Sequence, residues 1–330
     1  MNLGKDFSEL NFNKVIETDT LLYLFDRDRV STIFIFNKIS KTLINKIGIY
    51  GDPNTIHKPI NFNVNKSNLI TLEYPNKLHY FSLDGNYINT EKKSYSIASF
   101  EYFGTDFKIF YSAYLPHFSS IKNKISFNIN IEKGNEVIST LPFINNKSIA
   151  NLSLLNMYNF FLGEDKLYFI QSGNNIVYSI KNNNQINIQK EFYVKFNEED
   201  QNPEIFFRGE YKSKVEFFKR PHVGDFFYAS KKFYLFSYIE NRENNFVYID
   251  KNAPQKITNV HFENDNINLK IYPKFLHKKK MYAIISKNKY SLDQNKNKQN
   301  LHFKVENKNL KDNQNENEYN YVLVTYHLKS

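Results

Sequence analysis

The chain has 330 residues, a net charge of +10, 41% hydrophobic residues, 31 Phe, 24 Tyr and no Cys. That apolar content excludes a wholly disordered chain, and the lack of Cys excludes a disulfide framework, a thiolate metal site and a cysteine nucleophile. No run of eighteen apolar residues is present, which argues against a helical membrane span, and "MNLGKDFSEL" has neither the basic start nor the apolar core of a secretory signal.

Phe, Tyr, Ile and Val favour strands, and good helix formers such as Ala are scarce. In chain order, "FNKVIETD" near Phe12 reads as a first strand, followed by "LLYLFDRDRVSTIFIFN" from Leu21, an alternating apolar run, a polar turn and a second alternating run. The same phrase recurs as "NLITLEYPNKLHYFSLDG" from Asn68 and, with an expanded turn at Tyr114 to Lys124, as "KIFYSAYLPHFSSIKNKISFNINIEKGN" from Lys108. It returns as "KLYFIQSGNNIVYSIKNN" from Lys166, "KFYLFSYIENRENNFVYIDKN" from Lys232 and "KMYAIISKNKYSL" from Lys280. Short further strands follow several of these pairs: "KTLINKIG", "EVISTLPF", "INIQKEFYVKF" and "QKITNVHF". Asp84-Gly85 supplies the positive φ that a tight hairpin needs, and "SGNN" and "EKGN" are weaker turn signals. "SIANLSLLNMYNFF", Ser148 to Phe161, reads as a strand leading into the fourth unit or as a short helix; the strand is preferred. Beyond Asp293 the chain turns polar around a short "LHFKV", and it ends on "YVLVTYHL".

Six phrases starting at 21, 68, 108, 166, 232 and 280 have the spacing of four-stranded propeller blades with insertions. Within a run, Leu167 and Phe169 alternate with Tyr168 and Ile170, and both faces are apolar, as expected where a sheet packs on neighbours on each side. The expected fold is therefore all-β, a single domain over 1–330 forming a six-bladed β-propeller of four-stranded antiparallel blades. The strand at 321–328 is expected to close the ring, with Phe12 or with the sixth unit. The phrase from Lys166 is then the inner strand pair of the fourth blade.

The stretch Ile44 to Ile88 resembles the NHL-type propeller unit, with Gly48, Gly51, Pro59, Asp84 and Gly85 at the matching places, although the link "GDPNTIHKP" is shorter in Gly and Pro than the family's. From about Val15 to Lys329 the chain is similar to NHL/TolB-like propellers, particularly the six-bladed families of unknown function found as bacterial envelope lipoproteins. That resemblance implies a cell-envelope location, with a lipid anchor at the outer membrane on a cysteine preceding this sequence, and it implies membrane association through that anchor alone.

The positive charge would suit an acidic partner, but it is scattered, and the densest cluster, "HKKK" at His277 to Lys280, reads as a solvated turn. Nucleic acid is not expected as a partner. His222 with Asp225 and His261 with Asp265 have spacings that suit metal binding on a helix, yet they lie in loop and strand segments, so no metal and no cofactor is expected. No G-x-S-x-G, phosphate-binding Gly loop, H-E-x-x-H or acidic calcium loop occurs. The richest mixed stretch, Phe206 to Asp225, offers Arg208, Lys219, Arg220, His222 and Asp225 among paired aromatics. Guanidinium forks and aromatic faces bind carboxylates, sugars or phosphates, and an ordinary outer strand would read similarly. The expected function is a non-catalytic binding or scaffolding propeller, an envelope accessory subunit recognising a protein or glycan. The alternative is a hydrolase or lyase with its site at the axial funnel.

Overall fold

In a computed structural model the chain is all-β. The structure describes residues 12–28, 30–48, 58–73, 76–103, 107–112, 127–134, 136–142, 159–163, 166–170, 175–182, 186–196, 221–241, 243–260, 275–277, 280–286 and 321–327. The strands of the first sheet are β1 (Phe12–Glu17), β2 (Leu21–Asp26), β3 (Thr32–Asn37) and β4 (Leu43–Ile47), in the order β1-β2-β3-β4. The second contains β5 (Pro59–Val64), β6 (Leu69–Glu73), β7 (Lys77–Phe81) and β8 (Tyr87–Lys92), and the third β9 (Ser99–Phe103), β10 (Phe107–Tyr111), β11 (Phe127–Lys133) and β12 (Glu136–Pro142). The fourth contains β13 (Phe160–Leu162), β14 (Leu167–Ile170), β15 (Ile176–Asn182) and β16 (Ile186–Tyr193). The fifth contains β17 (His222–Ala229), β18 (Phe233–Glu240), β19 (Glu243–Asp250) and β20 (Ile257–Val260). Each is an antiparallel meander, so the fold is a propeller of four-stranded blades.

The expected count of six blades is wrong: the described residues build five four-stranded blades. The remaining sheet has three strands, β21 (Phe275–His277), β22 (Lys280–Ser286) and β23 (Tyr321–His327). The reason lies in what the phrase marks. It marks the two central strands of a meander, so counting phrases counts strand pairs rather than complete blades. In the last sheet the terminal strand is itself the partner of β22, with Lys280 opposite His327 and Ser286 opposite Tyr321. It is thus used up as the third strand, and its described pairing is with the sixth unit and not with Phe12, which begins blade 1. The phrase from Lys166 is likewise the central pair β14–β15, with the short β13 inside it.

The chain divides into two compact units, one of 1–58 with 261–330 and one of 59–260. In the second unit, β9 lies against both β5 and β13, and β13 lies against β17, so the first strands of blades 2 to 5 succeed one another. Alternation then sends one face of each blade to the neighbour before and the other to the neighbour after. Leu167 and Phe169 pack with Ile109, Tyr111, Ile129 and Ile131 of blade 3, whereas Tyr168 and Ile170 pack with Val223, Phe227 and Phe236 of blade 5. A third cluster joins Ile70, Leu72 and Leu78 of blade 2 to Phe100 and Phe110 of blade 3. In the first unit β1 lies against β21, and Glu17 accepts hydrogen bonds from Lys38 and from the Tyr282 hydroxyl.

The two ends of the blades differ. Connections from first to second strand and from third to fourth are short turns of two to six residues in every sheet, among them 18–20, 82–86, 134–135 and 251–256. Gly85 and Gly134 carry positive φ in two of these turns, as tight hairpins require. Connections from second to third strand and from one blade to the next leave the opposite end, because a meander reverses direction at every strand. These include 48–58, 112–126, 143–159, 194–221, 261–274 and 287–320. Every long non-repeating stretch of the sequence thus starts and finishes at one end of its blade.

Candidate binding surface at the end with the long connections

The first strands of the second unit, or in blade 4 the residue just before it, carry buried polar residues where an apolar core would otherwise run: Asn61, Asn63, Ser99, Asn159 and His222. Burying such groups requires hydrogen bonds, and several of these cross to the neighbouring blade. The Asn63 amide donates to Glu101 Oε1 at 2.5 Å, and the backbone N–H of Tyr102 reaches the same oxygen at 2.9 Å. Ser99 donates to Asn159 Oδ1 at 3.0 Å, while the Asn159 amide donates to the Ile170 carbonyl at 2.9 Å. Asn175 Oδ1 accepts from the Val223 backbone N–H at 3.2 Å, which ties the turn of blade 4 to the first strand of blade 5. Ser99, Asn159, Asn175 and His222 all stand at the end from which the long connections leave.

β17 interrupts its own pairing at this end. His222 and Val223 oppose Ile239 and Tyr238, but regular register resumes only at Phe227 opposite Phe236. Ser237 is spanned by this bulge, and its hydroxyl accepts from the Phe226 backbone N–H at 3.1 Å. A Cβ on Gly224 would stand 2.5 Å from that same oxygen, so a side chain there would push the Ser237 hydroxyl out of this hydrogen bond. Bulges re-aim side chains, and β1 and β5 have register shifts near their starts too, at Phe12/Lys14 and Pro59/Asn61.

Of the site residues expected from sequence, His222 opens β17 and is buried, and Asp225 is half-buried within the bulge three residues on. The structure brings these two onto one strand. Arg208, Lys219 and Arg220 lie outside the described residues, within the 194–221 connection that leads into β17. His261 and Asp265, the expanded turn at 114–124 and the polar stretch after Asp293 also lie outside them. Among the described residues no group of three or more His, Asp or Glu is placed to hold a metal ion.

No family model matches the chain, and no curated protein matches it in sequence. A protein of Bacteroides fragilis described as exported is similar in structure over 100% of this chain and 94% of its own, with a TM-score of 0.67 and 12% identity. The two chains share a fold. Slighter likenesses are to a streptogramin B lyase (TM-score 0.47, 12% identity, 86% of this chain and 79% of that one) and to BamB of Moraxella catarrhalis (TM-score 0.43, 6% identity, 84% and 73%).

Sequence reading missed the charged staples between blades. Glu91 on β8 accepts from Lys93 at 2.5 Å and from the Tyr80 hydroxyl at 2.7 Å, and Lys108 of blade 3 stands 3.9 Å away. Lys93 also reaches Glu132 of blade 3 at 2.6 Å, and the Tyr95 hydroxyl donates to Glu132 at 2.6 Å. Two blades on, Glu191 on β16 accepts from Lys166 at 2.6 Å and from the Tyr234 hydroxyl of blade 5 at 2.7 Å. Burial works to raise the Glu91 and Glu191 carboxyls, but the hydrogen bonds and charge of Lys93 and Lys166 outweigh it and hold both below the ordinary value. Burial, with the adjacent carboxylates, pushes the Tyr80 and Tyr95 phenols well above theirs. These groups are saturated by one another and brace the blades.

A second missed cluster lies on blade 2. His79 is hydrogen-bonded through Nδ1 to the Thr90 hydroxyl and through Nε2 to Glu73, each at 2.8 Å. Burial lowers the His79 pKa in spite of Glu73. Its ring joins three adjacent strands.

Proposed function

We propose that this chain is a non-catalytic binding or scaffolding propeller of the bacterial cell envelope, recognising a protein or glycan through the end that bears its long connections. The observation that carries this reading is the division of connection lengths: tight turns at one end, stretches such as 112–126, 143–159 and 194–221 at the other. Rigid sheets that hold variable loops at one end are the usual platform for recognition. In sequence, Arg208, Lys219 and Arg220 fall within the 194–221 connection, and His222 and Asp225 stand on the bulged β17 that follows it. Guanidinium and ammonium groups among Phe206, Phe207, Phe217 and Phe218 suit the carboxylates and ring faces of a protein or an anionic glycan. The fold shared with a B. fragilis protein described as exported supports the envelope setting.

The test is capture from native envelope fractions by the full chain and by an Arg208→Ala/Lys219→Ala/Arg220→Ala variant. The reading expects a partner that the variant retains at least tenfold less well. Equal retention by the variant, or turnover of an added glycan or peptide by the purified chain, overturns it.

A further inference from the structure

The group around His79 differs from the staples between blades in that its outer member is open to solvent. Thr90 is exposed on β8, whereas His79 is buried and Glu73 is half-buried. The register sets them together. His79 stands opposite Thr90 across β7 and β8, and Glu73 stands opposite Lys77 across β6 and β7. All four therefore share the face that does not carry Leu72 and Leu78. A register shift between Tyr80 and Phe81 then puts Tyr87 opposite Phe81 on that same face, where Ile88 would otherwise stand.

The direction of the hydrogen bonds along this row is fixed from one end. Glu73 Oε1 accepts from the Lys77 ammonium at 3.3 Å, and Oε2 lies 2.8 Å from His79 Nε2. A carboxylate held by an ammonium has only lone pairs to offer, so Nε2 carries the ring hydrogen and Nδ1 is left as the basic nitrogen. Nδ1, 2.8 Å from Thr90 Oγ1, accordingly accepts from the threonine hydroxyl. With its hydrogen so engaged, Oγ1 accepts in turn from the Tyr87 hydroxyl at 2.9 Å. Hydroxyl, imidazole and carboxylate thus follow one another, each bond within the reach that general-base activation of a nucleophile needs. The outer end of the row is an oxygen that a reagent in solvent can meet.

We propose that Thr90 is a modification site, a nucleophile that takes an acyl group from an activated ester, with His79 as its base and Glu73 as the residue that orients the ring. Thr90 Oγ1 forms a bond to the acyl carbon while the bond from that carbon to the leaving oxygen breaks, its electron pair departing with the leaving group. The hydroxyl proton passes to His79 Nδ1, and Glu73 holds the resulting imidazolium until the proton is lost to water. Lys77 and Lys92, the next cross-strand pair along the face, draw the departing anion. The step adds one acyl group to the chain, and it stands independently of recognition at the end with the long connections.

The test is incubation of the full chain with 4-nitrophenyl acetate, with peptide mass spectrometry to locate the acetyl groups, repeated with a His79→Gln variant. Glutamine can accept from Thr90 and donate to Glu73, so the row stays joined but has no base; an unchanged thermal transition checks the fold. Ser40 is the internal control, an exposed hydroxyl bonded at 2.7 Å to another hydroxyl, that of Thr42. Acetylation of Thr90 is expected to run at least about tenfold faster than that of Ser40, and at least about tenfold faster than in the variant. Burial, with Lys77, lowers the His79 pKa in spite of Glu73, so between about pH 5 and 8 the wild-type rate is expected to fall only below the ordinary histidine value. The variant is expected to lack that fall. Acetylation of Thr90 no faster than that of Ser40, or equal in the folded variant, overturns the proposal.

Discussion

Replacing Lys93 by methionine is expected to lower the unfolding free energy by about 3–5 kcal/mol, the range for breaking a buried ion pair from one side. Lys93 and Glu132 are both buried, with side chains 7% and 2% exposed. The substitution leaves the Glu132 carboxylate in the interior of blade 3 with its charge uncompensated, and the Tyr95 hydroxyl at 2.6 Å can offset only part of that loss. Glu91 fares better, since it is 30% exposed and keeps Tyr80 and Lys108 nearby. Adding Glu132→Leu to Lys93→Met should recover much of the loss, because the orphaned charge is then gone. Urea unfolding of the single and double variants measures both effects. A Lys93→Met variant within about 1 kcal/mol of wild type would show that the pair does not brace blades 2 and 3.

Phe227→Ala is expected to cost a similar amount, about 3–5 kcal/mol, by a different route. The ring is fully buried on β17, and its neighbours are Phe161 and Tyr168 of blade 4, Phe192 of the same blade's last strand, and Tyr234 and Phe236 of blade 5. Removing it opens a cavity where the two blades meet, and rigid β-sheets on both sides cannot close over it. Urea or thermal unfolding reads the loss. A shift of under about 1 kcal/mol would mean that the interface between blades 4 and 5 is looser than the packing of these rings implies.

What the sequence made legible follows from which strands are written in apolar alternation. The central pairs β2–β3, β6–β7 and β14–β15 are buried on both faces, so runs such as Leu21–Asp26 and Leu167–Ile170 stand out. The last strands were visible as runs that are mostly exposed, as in β8 and β20. The first strands were harder to see. β13 has three residues, and β17 is broken by Gly224 and a bulge. Because the repeated phrase marks central pairs, it gave six where the described residues build five four-stranded blades, and it placed the pair from Lys166 one strand too far inward.

The lengths between phrases did show where variation is concentrated, and the alternation of strand direction turns that into a statement about one end of each blade. The staples were not legible, because Glu91 with Lys108 or Glu191 with Tyr234 are joined only once successive blades pack. A signal existed all the same: Glu91 and Glu191 each sit in the last strand of their blade, where a carboxylate faces a lysine or tyrosine of the next.

Recognition at the end with the long connections is tested most directly by site-specific photo-cross-linking in native envelope fractions. A photoreactive residue at position 117 or 208, in two of those connections, is predicted to give adducts with one envelope protein or glycan, whereas the same residue at position 84 or 252, in tight turns, gives none with that partner. Adducts with the partner from 84 and 252 alone would contradict the account.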